Sequence, residues 1–379
     1  MIAIIHAELV MRDHLIPDAV LLVEGEKIAG YGEMRNTPIP AGCQILDAEG
    51  AYVGPGLVDI HAHTGGDYHF WETPIPAAKH HLSHGVTTVL PAFYGRLRVQ
   101  QRIEAATRMR EAMASEEGKN IGGVYMEGPY LNPKFGANRH LNPWDKPVLP
   151  EDYVPFVEAA GDLAKVWCLA PERPDILPFV LKAKEVNPNV RFAVAHSETT
   201  PQQIEALMPY GLCIATHHTN ATGTLVKYPE CRGVCVDEAV NYHSEIYAEL
   251  ISDSRGIHVD PYMQRLIRRI KGDDRIILVS DQTCYKAPKP KGYEDVFDLN
   301  FDEQEEIAGS KLTLDVACGN YMKHTGASLV DAFRVASYNP ARAVGFTDRG
   351  EIRAGLRADL IFVDHKMHVK KVMLLGSLQ

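Results

Sequence analysis

Apolar and polar positions along this chain follow two periods in alternation. Short apolar runs of strand type, several of them ending in a polar residue, fall at 57–63, 87–90, 123–127, 165–170, 191–196, 213–217, 246–252 and 276–281. Between most of them, apolar residues recur at helical spacing, as at 100–113, 175–186, 200–208 and 261–270, with 313–324 and 328–337 after the last run. Eight β units alternating with α units predict α/β architecture, a parallel sheet closed as a (β/α)8 TIM barrel. Such a barrel keeps its active site at the carboxyl ends of the strands, so the residues that end the apolar runs carry the functional argument.

The two ends of the chain read differently. Residues 1–53 hold short strand patterns at 2–5, 19–24, 27–31 and 44–47, punctuated by Gly25, Gly30, Gly32, Gly42 and Gly50. Residues 350–379 repeat that style, and neither end is long enough to bury a core alone. A small β-sandwich formed by both chain ends is expected, with 1–53 and 340–379 as one domain and 54–339 as the barrel. The stretch 284–311 is a long polar loop after the eighth strand, suited to covering a site.

Composition narrows the class without naming a function. A hydrophobic share of 45% and a charged share of 23% are ordinary for a soluble globular chain. The net charge of −10 argues against a general nucleic-acid binder. No apolar run reaches membrane-spanning length, and the first residues lack a basic region and a cleavage site, so no membrane partner and a cytosolic (cytoplasmic) location are expected. The seven cysteines have no zinc-finger spacing and are expected to be buried small hydrophobes.

The chemistry gathers at the strand ends. In Leu57-Val-Asp-Ile-His-Ala-His63, the period of two sends His61 and His63 to one face at the carboxyl end of the first strand. Two imidazoles aimed at one spot suit a transition metal. Glu127 ends the third strand, His196 the fifth, His217 the sixth and Asp281 the eighth. Residues of metal-ligating type at one rim point to a metal site, whereas a chance distribution would scatter some to the opposite end.

These residues carry a resemblance to the amidohydrolase superfamily, in which a Pro-Gly-Leu-Val-Asp-x-His-x-His strand, later strand-end histidines and a final aspartate recur. Within it, Glu127-Gly-Pro-Tyr-Leu-Asn132, Ala195-His-Ser197, Thr216-His-His-Thr-Asn-Ala221, Ser254-Arg-Gly-Ile-His-Val259 and Gly309-Ser-Lys-Leu-Thr313 are similar to the N-acetylglucosamine-6-phosphate deacetylases. Asn339-Pro-Ala-Arg and Gly355-Leu-Arg-Ala-Asp-Leu resemble the superfamily's carboxyl-terminal pattern, so the likeness runs nearly end to end.

The resemblance implies a metal-dependent hydrolase that cleaves the amide of an N-acetylated amino sugar. Glu127, His196 and His217 would hold one divalent ion, and His61 and His63 could complete a second, so one or two ions are implied. Zinc suits imidazole and carboxylate, and iron, manganese or cobalt fit almost as well. Asp281 would serve as general base and then acid. The likeness further implies a homodimer in which His258 reaches the substrate across the interface, and sugar-phosphate contacts at Asn220 and Ala221.

Two positions depart from the family pattern. His140 stands one position late for the family's substrate histidine. The arginine expected shortly after Asn-Ala is missing, and Lys227 or Arg232 is the candidate to bind phosphate in its place. Another amidohydrolase reaction, on an N-acyl-D-amino acid or a cyclic amide, is the alternative. A metal-binding scaffold without catalysis fits less well, because it has no use for an unliganded Asp281.

Overall fold

The computed structural model describes residues 1–379, the side chain of Val226 apart. Eight strands run parallel in chain order: Leu57–Ala62, Val86–Phe93, Val124–Met126, Ala164–Leu169, Arg191–Val194, Leu212–Ala215, Tyr247–Leu250 and Ile276–Leu278. The last meets the first through backbone bonds just past its end. Asp281 N–H donates to His61 O at 2.9 Å, and His63 N–H donates to Gln282 O at 3.0 Å. Every residue of Leu57–Ala62 and of Val86–Phe93 is buried, as expected of barrel strands covered on both faces.

Helices pack outside the barrel. Those at Val99–Ala114, Ile176–Val186, Pro201–Leu207 and Pro261–Lys271 follow the helical spacing in the sequence closely. Helices at Pro74–Ser83, Pro150–Ala160 and Val236–Tyr242 also form, although that reading passes over them. Proline explains two of these omissions. Pro74 and Pro150 open their helices, where the missing N–H costs nothing, and Pro155 still sits inside the first turns.

Both chain ends join one eight-stranded sheet, in which Tyr52–Pro55 pairs antiparallel with Leu360–Val363. The first strand, Ile2–Val10, pairs with Gln44–Asp47 over its first half and with Tyr52–Pro55 over its second. Irregular register near Ala7, beside the left-handed backbone of His6, divides it between the two partners. Period-two alternation explains the run of four buried residues at Leu360–Val363. Leu360 and Phe362 enter a core with Ile4, Leu21, Val23 and Val53, while Ile361 and Val363 face the barrel core. The fold is a (β/α)8 TIM barrel carrying a small β-sandwich from both chain ends, as the pattern predicts. Among the described residues, no helix is long and apolar enough to cross a membrane.

Candidate active site

The strand ends bring five of the expected residues into two overlapping groups. His61, His63 and Glu127 form one and Glu127, His196 and His217 the other, with the ligand atoms of each lying within 4.8 Å of one another. Glu127 joins them. Its Oε2 is 3.0 Å from His63 Nε2, and its Oε1 is 3.1 Å from His196 Nε2 and 3.4 Å from His217 Nε2. Asp281 stands above, its Oδ1 3.7 Å from His61 Nε2 and 3.5 Å from His63 Nε2. His196, His217 and Asp281 all have left-handed backbones, with φ of 43°, 31° and 46°. L-residues adopt that conformation at a cost of about 1–3 kcal/mol, and here it marks the turns where barrel strands end at the mouth.

The ring orientations are set from behind. His61 Nδ1 lies 3.2 Å from Glu249 Oε2, and His63 Nδ1 lies 3.1 Å from Ala92 O. A proton donated through Nδ1 leaves Nε2 of each ring with a lone pair. Those lone pairs face Glu127 and Asp281, which are also acceptors, and buried His61 Nε2 has no hydrogen-bond partner among the described residues. Acceptors turned toward one another call for a cation between them. The donor set, imidazole nitrogen with carboxylate oxygen around a bridging glutamate, fits divalent metal.

Electrostatics make the same demand. Burial opposes charge on His61, but the bond to Glu249 and the nearby Asp281 and Glu127 outweigh it and raise its pKa to about 10. Burial opposes charge on His217 as well, and Glu127 and Asp281 raise it nevertheless. Glu127 is also desolvated, yet His63, His196 and His217 hold its carboxyl well below the usual range. Without an ion these carboxylates draw protons onto the histidines. A divalent cation would answer that pull with charge already in place.

Glu249, a fully buried residue of the seventh strand, is absent from the residues singled out by the sequence. It takes a proton bond from Tyr125 Oη at 2.8 Å and from the His217 N–H at 3.2 Å, besides facing His61. Asp59 belongs to the same supporting layer. Its Oδ1 accepts the N–H groups of His61 and Ser280, and burial pushes its carboxyl up to about 6. A carboxylate inside an apolar strand run is the signal available in the sequence for both.

A cavity of about 440 Å³ opens over the two groups, lined by Glu127, His196, His217, Asp281, Asn220, Ala221 and His258 among others. Tyr285 and Glu306 to Gly309, from the long loop after the eighth strand, close part of it. His258 lines the cavity of its own chain, where Asn220 Nδ2 donates to its carbonyl at 2.6 Å and its backbone N–H binds Asp253 at 2.8 Å. His140, Lys227 and Arg232 are not among the lining residues. His140 sits in an exposed turn at Arg139–Leu141, near Gln304. Lys227 lies in an exposed two-stranded hairpin with Arg232, whose guanidinium pairs with Glu238. In place of these residues the structure brings Arg96 and Arg139 to the cavity wall, which the sequence reading does not single out.

Residues 52–378 match the amidohydrolase family, and the chain belongs to it. Within that family it is of the N-acetylglucosamine-6-phosphate deacetylase-like type, a hydrolase acting on an amide bond. It is 25% identical to the N-acetylglucosamine-6-phosphate deacetylase of Haemophilus influenzae, over 94% of each chain. It is 26% identical to the N-acetylgalactosamine-6-phosphate deacetylase of Escherichia coli O157:H7, over 90% of each. The crystal structure of the N-acetylglucosamine-6-phosphate deacetylase of Pasteurella multocida superposes with a TM-score of 0.86 at 24% identity, covering 100% of this chain and 99% of that one.

Proposed function

We propose that the chain removes the acyl group from an N-acetylated amino sugar, with N-acetylglucosamine 6-phosphate as the first substrate to test. The observation that carries this reading is the pair of histidine groups sharing Glu127 directly beneath Asp281, inside a cavity large enough for a hexosamine. Bound there, a divalent ion, with zinc the first choice, supplies Lewis acidity that polarises the acyl carbonyl and lowers the pKa of water.

The chain's own residues do the remaining work. Glu127 fixes the spacing of the two groups with its two oxygens. Glu249 and the Ala92 carbonyl lock the tautomers of His61 and His63. Asp281 accepts a proton from the attacking water and returns it to the leaving nitrogen as the C–N bond breaks, which yields a carboxylate and a free amine. His258 and Asn220, tied to each other in the wall, contact the sugar.

The test is acetate release from N-acetylglucosamine 6-phosphate, measured beside elemental analysis. The expected result is about one to two divalent ions per chain and loss of turnover on chelation, restored by add-back. Asp281→Asn should keep the metal and lose about 10² to 10⁴-fold in kcat. Full activity in chelated protein, or a loss under about tenfold in Asp281→Asn, would overturn the mechanism.

A further inference from the structure

Among the arginines near the cavity, Arg96 has its charge free. It follows the second barrel strand and lines the cavity together with His63, Glu127 and Asp281. Arg139 lines the same cavity, but its guanidinium is engaged by Glu306, with Nη2 2.7 Å from Oε1. Arg96, among the described residues, has no carboxylate within 4.0 Å and no hydrogen bond. Its guanidinium carbon lies 4.7 Å from the ring centroid of Tyr94 and 5.7 Å from that of Tyr285. Tyr94 is also stacked on His63, nearly parallel at 4.0 Å. Arg96 is therefore stacked one ring away from a ligand histidine.

The loop that carries it is built to stay still. Buried Arg102 donates to the carbonyls of Tyr94, Gly95 and Leu97 at 3.0, 3.1 and 3.0 Å, and the Trp144 indole donates to Leu97 O at 2.9 Å. The Tyr94 hydroxyl is buried and has no partner among the described residues. A pinned loop, a guanidinium placed over aromatic rings with its N–H fork unspent, and a cavity shared with the hydrolytic groups together describe an anion subsite. Balancing the negative charge of Glu127 and Asp281 does not account for it, because neither carboxylate approaches within ion-pair distance.

We infer that Arg96 binds an oxyanion of the substrate, a phosphate on the sugar or a carboxylate on the acyl group, in the same cavity as the amide to be cleaved. The inference rests on the amide-hydrolase reading above and moves the anion contact from Lys227 and Arg232 to a residue of the chain's own barrel mouth.

The experiment compares kcat/KM of metal-loaded wild type, Arg96→Met and Arg96→Lys on three substrates: N-acetylglucosamine, its 6-phosphate, and N-succinylglucosamine. The expected result is a preference of wild type for one anionic substrate over the neutral one. That preference should fall about 10 to 150-fold in Arg96→Met, and Arg96→Lys, which keeps charge but not the fork, should lie between. The preferred anion identifies its source. An unchanged ratio in both variants would overturn the inference while leaving amide hydrolysis intact. If wild type hydrolyses none of the three, the amide reading for amino sugars fails, and calorimetry with glucosamine 6-phosphate and succinate decides about Arg96. Equal affinity in wild type and variants for both ligands, or binding by neither, would then overturn it.

Discussion

At the scale of single residues, the site depends on groups that never meet the substrate. Glu249 has no exposure and accepts from Tyr125, from the His217 backbone and from His61. A carboxylate matches those donors with two oxygens. Glu249→Gln offers one oxygen and turns an NH₂ group toward a donor, so the imidazole of His61 loses its fixed tautomer. The expected outcome is a metal affinity lowered by about 10 to 100-fold, read by competition with a chelator, with the fold retained. An unchanged affinity would mean that His61 is held by the stacked Tyr125 ring alone, at 4.6 Å. The four histidines that the structure gathers around Glu127 were legible in the sequence because strand-end positions and spacing by two are local facts. Glu249 was not, because what makes it important is a contact with His61, 188 positions away.

At the scale of elements, the eight barrel strands could be read because a strand buried on both faces leaves a dense apolar run bounded by polar ends. The helix at Pro150–Ala160 could not, since an internal Pro155 argues against a helix that tertiary packing of Tyr153, Phe156 and Val157 nevertheless sustains. The loop after the seventh strand shows a third case, in which one side chain organises a segment without any period. Asp253 accepts the N–H groups of Arg255, Ile257 and His258 at 3.1, 2.9 and 2.8 Å. Burial would raise its carboxyl, but the bonds from His258 and Ile257 prevail and lower it from 3.8 to about 2. A carboxylate with a depressed folded pKa stabilises fully above 3.8, and that contribution is lost as pH falls toward about 2. Asp253→Asn should therefore lower Tm at about pH 7, by a loss on the order of 1–2 kcal/mol, and the gap to wild type should narrow as the pH drops below about 4. Thermal melts across that range check it. A gap of constant size would assign the effect to shape and not to charge.

At the scale of the whole molecule, the question is whether one chain completes its own site. The resemblance implies a homodimer with His258 shared across it, but the side chain of His258 is 5% exposed, with Nδ1 3.5 Å from Asp253 Oδ2, and its backbone is held by Asp253 and Asn220 of the same chain, in the cavity that contains Asp281. Shared and unshared sites respond differently to mixing. Take His258→Ala and Asp281→Asn chains, both expected to be impaired, and let them exchange. If His258 crossed to a neighbour, each mixed pair would contain one site with both residues intact, and random exchange would restore roughly a quarter of wild-type activity, since about half of the pairs would be mixed. With both residues in one cavity of one chain, every site lacks one of them whatever its neighbour. The expected outcome is activity equal to the average of the two variants, with exchange demonstrated by the mass of mixed assemblies. Recovery well above that average would mean that assembly draws His258 out of the cavity where its own chain holds it, and the loop anchored by Asp253 would have to move for that to happen.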